Sequence, residues 1–244
     1  MNRAVLRYAR WQLWDHLKGS GRIIGLAAVV IGLLLWRLRV NNPDAVQGAE
    51  AAMTGFLGSL SWPLILLATS GIISTDRVEG FNRALFSAPV SPMWYYLQRW
   101  LIGGVVIGTL PLLLSVSVQL AMGTWVDPWP FTAVHLLLYL LLGGLVFCWS
   151  SFGRRDWAIA LSLYLGQGAI HTAQVQGFPL PRIFFQVNQL LPPFHLVDFG
   201  VPTNHGVTLP SGMEWLHFVG YGVGLMVVGL LVLRFRPMGS GARG

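Results

Sequence analysis

LIGGVVIGTLPLLLSVSVQLAM, residues 101–122, contains no Asp, Glu, Lys or Arg. An α-helix needs about 20 such residues to cross the hydrocarbon core of a bilayer. The span is read back to residue 95, with Arg99 in its first turns, so 95–122 is longer than a crossing requires and is expected to tilt, kink or protrude. Pro111 is the natural kink, because proline removes a backbone donor and crowds the preceding turn. Working outward, five more stretches read as spans: 22–36, 54–74, 131–152, 157–174 and 216–233.

Composition requires the same conclusion. The chain has 244 residues, 54% hydrophobic and 10% charged, against about 25% charged in an average soluble domain. So few charges cannot cover so much apolar surface in water. Six spans use up most of the chain, leaving a single transmembrane domain over 1–244 and disfavouring a soluble enzyme or a nucleic-acid-binding module. The one cysteine, Cys148, excludes an intrachain disulfide and a thiolate zinc site, and reads as a small buried hydrophobe. The N-terminal stretch is too basic and too long for a signal peptide, and it lacks a small-residue cleavage site.

Charge orients the spans. With both termini cytoplasmic, thirteen of the 16 Lys and Arg residues fall inside, leaving Arg37, Arg39 and Arg182 outside. Acidic residues divide almost evenly, so the asymmetry lies in the cations, as the positive-inside rule requires. The expected location is the cytoplasmic membrane of a bacterium or archaeon.

Three connecting segments carry patterns of their own. Residues 1–21 place Arg3, Arg7, Arg10, Trp14 and Lys18 on one helical face, with Val5, Leu6, Ala9, Leu13 and Leu17 opposite. That is the pattern of an amphipathic helix lying in the inner lipid interface. Residues 75–93 begin with Asp76 and Glu79 in a first helical turn, then set Val78, Phe81 and Leu85 on one stripe before Pro89 and Pro92. The stripe is narrow for membrane insertion and suits either protein docking or an interfacial helix. Residues 174–214 contain an apolar piece, 183–201, broken by Pro192 and Pro193, which reads as a re-entrant or interfacial helix pair followed by a loop.

Chemistry is sparse. No ionisable carboxylate, Lys or Arg lies near the middle of a proposed span, where ion-coupled transporters place one. Among the intramembrane polar residues, Gln119, Gln167 and His171 are candidates to line a translocation path; hydrogen bonding between helices is the ordinary alternative. The only lysine, Lys18 in HLKGSG, does not form a phosphate-binding loop, so energy for uphill transport has to come from a partner. There is no G-x-S-G for a rhomboid-type protease. The six histidines show no H-E-x-x-H or close pair for a metal, so the chain is not expected to be an enzyme by itself.

Two motifs then carry a resemblance. Glu79-Gly80, followed by Leu85-Phe86-Ser87-Ala88-Pro89-Val90-Ser91, is similar to the acidic–Gly–Thr–x–Glu run ending in Leu-Leu-x-x-Pro-Val-Ser of ABC-2 type transporter permeases. Leu191-Pro192-Pro193-Phe194-His195-Leu196-Val197-Asp198 looks like that family's Asn-Pro-Leu-Thr-x-x-Val-Asp before the last span. The order of parts resembles the family over most of the chain.

The resemblance implies an all-α permease subunit of an ATP-driven exporter: six spans, an interfacial N-terminal helix, a cytoplasmic coupling helix and a re-entrant pair. It implies that Val78, Glu79, Gly80, Phe81, Arg83 and Leu85 dock on a separate ABC ATPase, which binds ATP and Mg. It also implies a second permease copy, identical or related, with the path between the two and no cofactor in this chain. Phe81 departs from the family's threonine, Arg83 from a common acidic residue and Pro92 from a common arginine. The reversed charge at Arg83 implies a partner surface of altered sign. Two other readings share the layout or composition: a membrane subunit of a haem- or cofactor-export complex, and a membrane scaffold or enzyme without transport. Gly103, Gly104 and Gly108, with Ser115 and Ser117, are expected to let two copies approach closely.

Overall fold

The computed structural model describes residues 3–78, 91–153, 155–179, 181–184, 186, 191–194 and 212–235. All regular structure among the described residues is helical. Helix α1 (Arg3–His16) runs through a π turn (Leu17–Gly21) into α2 (Arg22–Asn41). A 3₁₀ turn (Pro43–Gly48) leads to α3 (Ala49–Thr69), followed by the short α4 (Ser74–Val78). Next come α5 (Pro92–Met122), then α6 (Trp129–Leu138), which passes through a second π turn (Tyr139–Gly143) into α7 (Gly144–Phe152). Helices α8 (Asp156–Val175) and α9 (Met213–Phe235) complete the set.

Five helical stretches are long and apolar enough to cross a membrane: Tyr8–Asn41, Pro43–Asp76, Pro92–Met122, Trp129–Phe152 and Met213–Phe235. The chain is all-α, with the make-up of a multi-pass membrane protein. The remaining expected span, 157–174, is present as the 20-residue α8 but is not among the five. Gln167, His171, Thr172 and Gln174 dilute its apolar character.

The N-terminus differs from expectation. Instead of a separate interfacial helix followed by a span starting at residue 22, the backbone stays helical from 3 to 41. Gly21 and Arg22 both keep right-handed helical angles, so nothing breaks the chain between them. Leu13 and Leu17 of the leucine arc do not pack on the bundle. Tyr8 is half-buried and Gln12, His16 and Ser20 are buried, whereas Leu13, Leu17, Trp11 and Trp14 are exposed. Tyr8 and Tyr95 pack edge to face with ring centres 6.3 Å apart, and Gln12 Nε2 donates to the Tyr95 carbonyl at 3.5 Å. The Tyr8, Gln12, His16 and Ser20 stripe faces inward, and the exposed side carries Trp11, Leu13, Trp14 and Leu17 together with Arg10, Asp15 and Lys18.

Helix α5 lies at the centre, against α1, α2, α3 and α6. Proline at its first position starts it, and Gly123, with φ +75°, caps its end in the left-handed conformation that glycine adopts at little cost. The helix continues through Pro111. The most enclosed stretch is Trp129–Phe152, 83% buried, against 22% for the most apolar windows of Tyr8–Asn41 and Met213–Phe235. Those two flank the bundle and present their valines and leucines outward.

Gly103, Gly104 and Gly108 are used inside the chain, contrary to the expectation that they serve a second copy. A Cβ on Gly104 would lie 2.8 Å from the Tyr139 ring, and one on Gly108 would lie 3.0 Å from Leu136. Ser115 donates to the Val126 carbonyl, and the Ser117 Cβ would lie 3.4 Å from a Cβ on Gly32 of α2. Small residues let these neighbouring helices approach within the subunit, so that stripe is already covered.

Candidate functional site

The expected docking segment follows α3 in the chain. Val78 ends α4, while Glu79, Gly80, Phe81, Arg83 and Leu85 lie outside the described residues. What holds the base of that segment is well defined. Gly71 has φ +73°, and a Cβ there would lie 2.4 Å from Thr75 Oγ1, so only glycine makes this turn without strain. The Gly71 amide donates to Asp156 Oδ2 at 3.0 Å, and Ser74 Oγ donates to the same oxygen at 3.5 Å. The amides of Ile73 and Ser74 both donate to Ser150 Oγ, at 3.2 and 3.1 Å.

The same turn is tied to α5. Arg99 Nη1 donates to both Asp76 carboxylate oxygens, at 3.3 and 3.1 Å, and to the Ile72 carbonyl at 3.3 Å. The two side chains are 22% and 11% exposed, so water screens this pair only in part. Asp156 is 2% exposed and has no cation partner among the described residues. Its charge is met by hydrogen-bond donors, including the Trp157 amide at 2.9 Å, and by its place in the first turn of α8, where the helix dipole favours a carboxylate. Three elements (α5, α7 and α8) thus fasten residues 71–76.

No protein-family model matches this chain, and no curated protein matches it. Its site is therefore read from its own geometry.

The three candidate path residues are not brought together. Gln119 is exposed near the end of α5, and His171 is exposed on α8. Gln167 is 1% exposed, and its Oε1 accepts from the Phe194 amide at 3.0 Å. That bond seats Pro192, Pro193 and Phe194, all buried, against α8. Tyr164 meets Phe194 edge to face at 5.3 Å and stacks on Trp62 of α3 at 6.0 Å. Gln167 holds the Pro-Pro-Phe piece inward, while its Nε2 has no hydrogen-bond partner among the described residues. In the middle of the bundle, Ser61 Oγ and His135 Nδ1 are 2.8 Å apart, both fully buried, an ordinary bond between helices. No group of three or more His, Cys, Asp or Glu side chains that could hold a metal occurs among the described residues.

Sequence reasoning missed Ser150, Asp156 and the Asp76–Arg99 pair as a set. Their spacing of 23 or more positions gives no local motif. The one available signal was that Asp76, Arg99 and Asp156 all stand at proposed span ends on the same side.

Proposed function

We propose that this chain is the membrane-spanning subunit of an ATP-driven transporter of the ABC-2 type, exporting its substrate with energy from a separate ATPase. The observation that carries the reading is the fastening of residues 71–76 to three other elements. A segment that takes a push from a soluble partner has to pass it to the spans, and Asp156, Ser150 and Arg99 are the groups that would do so. The motifs around Gly80 and Pro192, and the inward seating of Pro192–Phe194 against α8, support the same reading.

Six crossings fit this function, with α8 as the fifth. The start of α1 meets the first turns of α5, near Arg99 and Asp76. At the other end of the chain, Gly222 abuts Leu140 and Gly144, and Gly229 abuts Phe147 and Cys148, so α9 runs parallel to α7 toward that same end of the bundle. Termini at one end require an even number of crossings. Helix α8, 20 residues or about 30 Å long, is the element of the right length to supply the missing one. In the assembly, two permease subunits, alike or related, enclose the path.

Docking is tested at Phe81. Aromatic anchors in helix-in-groove contacts are commonly worth about 2 kcal/mol or more on truncation. Phe81→Ala is expected to lower co-purification of the ATPase by roughly tenfold or more and to uncouple ATP hydrolysis from transport, with membrane insertion unchanged. Full complex formation by Phe81→Ala would make the stripe a lipid contact and remove this reading.

A further inference from the structure

At the end of the bundle opposite Asp76, a cavity of about 520 Å³ opens between the start of α3 and the α5–α6 connection. Its volume lies in the range that takes a drug-sized molecule. The floor is apolar: Ala49, Val126 and Phe131 are 3%, 7% and 2% exposed. The rim is acidic and aromatic, formed by Glu50, Asp127 and the exposed Trp125. Among the described residues no Lys or Arg lines it, although the chain carries a net charge of +7. The nearby cation Arg39 does not line the cavity and donates to the Ala121 carbonyl at 3.2 Å, beside Gly123. Asp127 Oδ1 accepts from the Trp129 amide at 3.1 Å, and the Glu50 carboxylate has no hydrogen-bond or ion-pair partner among the described residues.

We propose that this cavity binds the ammonium group of an amphiphilic organic cation. The apolar body would rest on Ala49, Val126 and Phe131, with the charge held at the rim by Glu50, Asp127 and the Trp125 ring. Two carboxylates above an apolar floor supply too few oxygens for calcium, which takes six to eight ligands. An ammonium needs only diffuse negative potential and an aromatic face, which this rim provides. The exposed Trp125 and Trp129 suit the headgroup level of a membrane, where such amphiphiles collect. The ammonium can come from a soluble compound or from an ethanolamine lipid headgroup; the chemistry recognised is the same. The proposal does not depend on the transport reading.

The test uses the full chain purified in a maltoside detergent and two dansyl probes of equal shape, one ending in trimethylammonium and the other in tert-butyl. The charged probe is expected to bind about tenfold more tightly than the neutral one, as the loss of one ion contact and one cation–π contact would give. Glu50→Gln combined with Asp127→Asn should abolish that preference, and Trp125→Ala should reduce it; all three positions are exposed, and helix content by circular dichroism checks folding. Equal binding of the two probes, or an undiminished preference in the double variant, overturns the proposal. Competition in nanodiscs identifies the source: displacement by phosphatidylethanolamine but not phosphatidylglycerol assigns a lipid headgroup, and displacement by choline alone assigns a soluble cation. A charged probe that neither can displace would mean binding elsewhere and would also overturn it.

Discussion

Among the described residues Asp156 is a buried carboxylate with no cation partner, and its bonds make it a sensitive point in the protein's energetics. Asp156 depends on donors from Gly71, Ser74 and its own helix start, and those donors depend on it. Asp156→Asn keeps the shape but turns an acceptor pair into an amide whose NH₂ can face the Gly71 N–H. Leaving such a group unpaired costs about 1–3 kcal/mol. Thermal unfolding in detergent should register that loss, and Asp44→Asn, at an exposed position, should change little. An Asp156→Asn protein as stable as wild type would mean the carboxylate does not hold the turn. This residue also marks where reading a sequence runs out. Sequence analysis did not single out Asp156, whose partners lie 82 and 85 positions away. Nothing in local spacing announces a bond formed only when two span ends meet.

Elements were easier to read than their contacts. Spans 95–122 and 131–152 were predicted within three residues of α5 and the α6–α7 stretch, because a long uncharged run has one stable state in lipid, the helix. The break expected near residue 21 failed because amphipathic patterning reports which faces differ and carries no information on whether the backbone turns. The glycines misled in the same way. Their size fixes how closely a neighbour can come without naming the neighbour. Helix α9 lies so near α7 that a Cβ on Gly144 would sit 2.8 Å from the Gly222 carbonyl oxygen. Gly144→Ala therefore forces the helices apart and should cost about 1–3 kcal/mol. Gly220→Ala, which meets open space, should be neutral or up to about 1 kcal/mol stabilising through helix propensity. Equal melting temperatures for the two variants would contradict the packing of α9 on α7.

For the whole molecule, the crossing number decides orientation. Five crossings put the termini on opposite faces and six put them on the same face. In a Cys148→Ser background, a membrane-impermeant thiol reagent applied to intact cells should label Asn204→Cys and spare both Asn2→Cys and Ser240→Cys. Label on either terminal site would remove the six-span reading and the inside placement of the docking segment. The positive-inside count is what predicts this arrangement. The six-span reading depends on α8, the most polar of the expected spans.

The π turn at Leu17–Gly21 has a consequence for angular phase. Polar residues at positions 8, 12, 16 and 20 recur every four residues, whereas an α-helix turns every 3.6, so each step drifts by about 40°. A wider turn takes up that drift, and the stripe reaches Ile24 and Ala28 still pointing at the bundle. Which side of the N-terminal segment meets lipid is thus set by the number of residues in the turn rather than their kind. Side-chain changes at Leu17 or Lys18 leave the phase as it is, whereas one residue more or fewer rotates Gln12 and Trp14 together by about 100°.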